Sequence, residues 1–150
     1  MIRESLIENV EHDGVCLAIL LSGRFSGEGI RFFTPDSFSQ QLAYMKRPAG
    51  HVIEPHEHNP APRLVENTQE VLFVRGGRIR LDLYAPGTRE YLQSRILLPG
   101  DVVLLAHGGH GLVMLEESEI IEVKQGPYAG RGDKSRFQPH ADAGAVHDSR

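Results

Sequence analysis

Turn residues cut the chain into short apolar runs, and that rhythm restricts its possible folds more than any other feature. Sixteen glycines and nine prolines are scattered through 150 residues as punctuation, with no internal repeat. Between them stand "GVCLAILLS", "GIRFFT", "QLAYMKRPAGHVIEPH", "EVLFVRG", "GRIRLDLYAPG", "EYLQSRILLPG", "DVVLLAHG", "HGLVMLEE" and "SEIIEVKQG". Turns such as "RGGR", "APGT" and "LPGD" separate them at roughly eight to twelve residues, the spacing of an all-β sandwich or barrel. Side chains alternate along a strand, so in "GRIRLDLY" Ile79, Leu81 and Leu83 share one face while Arg78, Arg80, Asp82 and Tyr84 share the other. Arg78 and Arg80 read as ordinary solvated charges. "DVVLLA" is apolar on both faces, as a strand inside a sandwich is. Helix is expected at most in "RESLIENV" or in "DSFSQQLAY", where Asp36 or Ser37 would cap a short turn. The reading is one all-β domain over residues 1–137 and a patternless, disordered tail over 138–150.

A chain of this length buries a core without disulfides or a structural metal. Its net charge of −4 gives no electrostatic footprint for nucleic acid or an anionic membrane. The one cysteine, Cys16, has no internal partner and reads as a small buried hydrophobe within "VCLAILL". That run is far too short to span a bilayer. The first residues, "MIRESLIENVEHDG", hold four acidic side chains and no apolar stretch of the secretory kind, so the expected location is the cytoplasm.

The stretch "GHVIEPHEHNP" sets His56 and His58 two residues apart at the end of what reads as a strand. On a strand they project to one side together with Glu54, roughly 6–7 Å apart along the chain. They can lean onto one ion, because His–metal bonds are about 2.0–2.1 Å long. Glu70 opens "EVLFVRGG" with the parity of Leu72 and Val74, so it points to the core side. A carboxylate there is costly unless something compensates it, and a bound cation would do so. His110 comes from the glycine-rich corner "HGGHG" between two apolar runs. Glu66 and His107 are the nearest competitors for the last two roles. His12, His51, His140 and His147 read as surface histidines. "RGD" at 131–133 carries no expected function, and "GRGDKS" is not a phosphate-binding loop.

At these residues the chain resembles the cupins. Gly50, His56, His58, Glu70 and Gly77 occupy the places of the first cupin motif, and Gly100 and His110 those of the second. The likeness covers about residues 40–125. Eleven residues, "NPAPRLVENTQ", separate His58 from Glu70 where the family usually has three or four. The second motif is one residue short, with Ala106 for the usual Pro and Met114 for the usual Asn.

The resemblance implies a jelly-roll barrel in which His56, His58, Glu70 and His110 hold one divalent ion. Such a nitrogen and oxygen set suits Zn, Ni, Fe or Mn. It further implies a metal-dependent enzyme acting on a small polar, possibly sugar-derived, substrate that enters past the 59–69 loop. Two other readings stand beside it. One is a metal-independent sugar or sugar-nucleotide isomerase or epimerase, with His56 or His58 as general base and Tyr44 as acid. The other is a barrel that binds a ligand or metal without turnover. The family also implies a homodimer paired through its N-terminal strands, for which "VCLAILLS" is apolar enough.

Overall fold

The structure, a computed structural model, describes residues 5–140. It contains ten strands: β1 (Ile7–His12), β2 (Val15–Leu21), β3 (Gly29–Phe32), β4 (Ala43–Lys46), β5 (Glu70–Gly76), β6 (Ile79–Tyr84), β7 (Tyr91–Leu97), β8 (Val102–Leu105), β9 (Gly109–Met114) and β10 (Glu119–Lys124). A single 3-10 turn, Gly130–Gly132, completes the regular structure among the described residues. No helix there is long and apolar enough to cross a membrane. Each of the nine apolar runs contains a strand, so the all-β expectation holds.

The strands form a five-stranded sheet ordered β1-β2-β8-β5-β10, a three-stranded sheet ordered β7-β6-β9, and a separate β3-β4 ribbon. All pairings are antiparallel. One core joins the two larger sheets. Val10, Leu17, Leu20, Leu72, Val74, Val103 and Leu105 come from the first, and Ile79, Leu81, Leu83 and Leu97 from the second. β8 and most of β2 are buried on both faces, as "DVVLLA" predicted. Along one flank, Glu8 of β1 accepts hydrogen bonds from the Arg95 guanidinium of β7, with Nε at 2.9 Å, and so ties the edges of the two sheets together.

Several expectations need correction. "RESLIENV" contributes strand rather than helix, because β1 pairs along β2 with Val10 opposite Ala18. Asp13 and Gly14, both at positive φ, close that hairpin as an Asp-Gly turn should. The run "QLAYMKRPAGHVIEPH" is strand only as far as Lys46. Pro48, Pro55, Pro60 and Pro62 each remove a ladder donor from the segment beyond it, and Gly50 turns the chain at φ +82°. Arg80 is not an ordinary solvated charge. It binds Asp82 through Nε at 2.9 Å and a terminal nitrogen at 3.2 Å, and Asp82 is 2 % exposed. Asp82 also accepts a hydrogen bond from Ser94 directly across the sheet.

The tail expected to be disordered includes three described residues, 138–140. There the His140 ring stacks on Tyr91 at 4.2 Å and its backbone N–H donates to the Tyr84 hydroxyl at 3.2 Å, so His140 is not a free surface histidine. The rest of that tail, with His147, lies outside the described residues. β2 sits between β1 and β8 with Leu17–Leu21 buried in the single chain, so the N-terminal edge of that sheet is β1 rather than β2.

Candidate functional site

The site is built from strand parity. β5 turns Glu70, Leu72 and Val74 inward, and its pairing with β8 sets Glu70 opposite Leu105. β9 pairs with β6 so that His110 lies opposite Leu83 and on the same side of the sheet, but His110 itself stays exposed at the mouth of the cleft. The two side chains meet across the sandwich, with His110 Nε2 3.2 Å from Glu70 Oε2. Glu70 is 7 % exposed. The hydrogen bond from His110 holds its carboxyl below the usual range, against burial, which pushes the other way. The charges of His110, Lys134 and Lys124 add to the lowering. The result is an ionised carboxylate kept inside a β-sandwich by an imidazole.

The pair lies in a cleft of about 630 Å³ whose lining includes Glu70, Tyr84, His107, His110, Lys134 and Phe137. Gly108, at φ +78°, brings the chain within 2.6 Å of the Tyr84 carbonyl oxygen, measured from where a Cβ would stand. Only glycine permits that approach, and it sets the start of β9 against the cleft. Phe137 packs edge-on to Tyr84 with ring centroids 5.0 Å apart and lies against Gly109. Lys124, opposite Glu70 on β10, reaches Asp133 at 3.3 Å, a contact that raises its pKa. Residues 133–139 thus form one wall of the cleft, although sequence reasoning sets them at the domain's end. The available signal is Phe137, a lone large aromatic in a polar stretch.

His56 and His58 lie elsewhere, on an extended and exposed segment without regular structure. Their rings meet edge-on with centroids 5.4 Å apart. His56 Nδ1 is 2.8 Å from the Glu54 carbonyl oxygen. A carbonyl only accepts, so Nδ1 carries the proton, and in the neutral ring Nε2 keeps its lone pair free for a ligand. Glu66, exposed near the end of the same segment, does line the cleft of Glu70 and His110, and His107, also in its lining, is half-buried with its backbone N–H on the Leu17 carbonyl oxygen. Tyr44 belongs to an aromatic group with Phe25, 4.9 Å away and edge-on.

The four expected ligands therefore divide into two pairs. Glu70 and His110 fit half of a metal site: one buried carboxylate and one imidazole, both facing a cleft. His56 has its tautomer set by the Glu54 carbonyl and His58 stands exposed beside it, but neither is gathered to them. Among the described residues, no group of three or more His, Cys, Asp or Glu side chains of this single chain is placed to hold an ion. No protein-family model, curated protein or solved structure matches the chain.

Proposed function

We propose that the chain is a cupin-like jelly roll that binds a small polar ligand at a divalent metal site, with Glu70 and His110 as the fixed half and His56 and His58 as the half brought to it. The observation that carries this reading is the Glu70–His110 pair. An ionised carboxylate on the core side of a strand is expensive, yet this one is retained at the edge of a cleft, against an imidazole, where a cation would compensate it. The four residues stand in cupin-motif order, and the two facing antiparallel sheets suit a jelly roll. Zn, Ni, Fe and Mn all suit three imidazoles and a carboxylate.

A bound ion would polarise a carbonyl or hydroxyl oxygen of the ligand. The chain's own groups do the rest. Lys134 offers the ligand a positive charge, Tyr84 and Phe137 an aromatic wall, and residues 133–139 restrict access of water. A substrate of sugar type, with several hydroxyls, suits such a lining.

The same pair also supports a second reading, an isomerase or epimerase without metal. His110, oriented by Glu70 as a catalytic imidazole is by its carboxylate, then serves as the base in place of His56 or His58. Elemental analysis of protein purified without chelators or a histidine tag, followed by titration with Zn, Ni, Mn and Fe, separates the two. About one ion per chain supports the metal site; no stoichiometric binding of any of the four favours the base.

A further inference from the structure

β9 carries His110 and forms the edge of the three-stranded sheet, pairing with β6 alone. An edge strand presents a row of unpaired N–H and C=O groups that templates another strand. Beyond β4, the twenty-two residues 47–68 are exposed without a break and without regular structure. Unstructured loops longer than about 12–15 residues are uncommon inside compact domains. This one also holds Val52 (75 % exposed), Ile53 (55 %) and Leu64 (86 %) in the open.

We propose that the 51–58 segment of a second copy of this chain adds to the free edge of β9, reciprocally, so that each site is completed by His56 and His58 of the partner copy. The shared metal site rests on the reading above; the strand exchange does not. The occupant is a second copy because the chain's own sheet does not take the segment up. It is complementary to β9 in what it lacks: it has unpaired backbone groups, and β9 has an unpaired edge beside His110.

The size of the arm agrees. A stable interface takes about 20–30 residues a side and about 800 Å² per partner, which an exposed arm of twenty-two residues is able to supply. The arm leaves from the β3–β4 ribbon, where Ile30 pairs with Met45 and shares its face with Phe32. All three are exposed, at 45 %, 47 % and 57 %, and extend the apolar surface that a partner would cover. Pro55 is compatible with this pairing. On an antiparallel strand the residues that bond to one neighbour alternate, so Pro55 points its nitrogen outward when Val52, Glu54, His56 and His58 bond inward.

Sedimentation velocity tests the exchange without reference to metal. The unmodified, metal-stripped protein should run at twice the 16.7 kDa chain mass. The double variant Val52→Asp/Ile53→Asp should run as a monomer with an unchanged β-type circular dichroism spectrum, since both side chains are exposed in the single chain. A monomeric unmodified protein, or a double variant that stays dimeric, overturns the exchange and leaves the metal reading standing. Site sharing is read by complementation. A His56→Ala/His58→Ala chain and a His110→Ala chain, each defective alone, are refolded together in equal amounts and titrated with Zn or Ni. Random pairing restores one site in each mixed dimer, so about a quarter of all sites should bind. If the unmodified protein binds and the mixture recovers nothing, the ligands come from one chain and the shared site is wrong. If the unmodified dimer binds no metal, the metal reading fails while the exchange stands or falls on the sedimentation result.

Discussion

His110 Nε2 and Glu70 Oε2 stand 3.2 Å apart, on strands of opposite sheets and forty residues apart in the chain. In metal-stripped protein this contact is a structural one. Replacing His110 with Ala removes the imidazole donor from a carboxylate that is 7 % exposed. The expected loss is about 1–3 kcal/mol of stability, the cost of a buried group left short of a hydrogen bond. Adding Glu70→Gln to His110→Ala should return part of that loss, because the uncompensated charge is gone. Urea denaturation of the two single variants and the double variant, treated as a thermodynamic cycle, reads both effects.

Asp82 should matter more to the fold than any residue of the cleft. It is 2 % exposed and bonded to Arg80 and Ser94. Breaking a fully buried ion pair costs about 3–5 kcal/mol. The Arg80 side chain keeps 15 % exposure, so Asp82→Ala should cost about 2–3 kcal/mol once solvent screening is discounted. Asp82→Asn should cost less, since the amide retains an acceptor for the guanidinium. Shifts in the urea midpoint rank the two.

Gly77 should tolerate no side chain. It sits at φ +84° in the β5–β6 turn, where a Cβ would come within 2.3 Å of the Glu117 carbonyl oxygen and of Ser118 Oγ. Strain at positive φ alone costs about 1–2 kcal/mol, and the collision with backbone adds to it. Gly77→Ala should lower the thermal midpoint by well over the about 2–4 °C that 1 kcal/mol moves in a domain of this length.

The sequence makes this turn legible, as it does most of the fold, for a shared physical reason. Gly77, Gly100 and the alternation in "EVLFV" and "IRLDL" act locally, and a period of two shows which side of a strand is buried. The inward direction of Glu70 follows from Leu72 and Val74 by the same parity. What is not legible depends on distant partners. β1 reads as possible helix because its strand character comes from pairing with β2. Asp82 reads as solvent-facing because its cover is supplied by Arg80, Ser94 and neighbouring strands. The 50–58 run alternates like a strand, but in the single chain nothing pairs with it.

Cys16 should be a slow nucleophile. It is half-buried at the start of β2, beside Glu11 on β1. Burial first, and then the Glu11 charge, push its thiol above the ordinary range. The thiolate is the reactive form, so alkylation at pH 8 should run slower than for free cysteine and its pH midpoint should be displaced upward. Glu11→Gln removes one of the two raising causes, so it should move the midpoint down and speed the reaction. Iodoacetamide labelling with mass spectrometry across pH 7–10 measures this.

The most direct test of the metal site is calorimetric titration of chelator-stripped protein with Zn and Ni, alongside Glu70→Gln. The core of Leu17, Leu20, Leu72, Ile79 and Leu81 contains no proposed ligand, so chelation should leave the β-type circular dichroism spectrum in place. The unmodified protein should bind about one ion per chain. Changing even an outer-shell partner of a ligand typically weakens metal affinity about 10–100-fold, so loss of the carboxylate in Glu70→Gln should weaken it at least tenfold. Stoichiometric binding by the unmodified protein, lost or sharply weakened in Glu70→Gln, is the predicted result; no stoichiometric binding, or equal affinity in the two proteins, would contradict it.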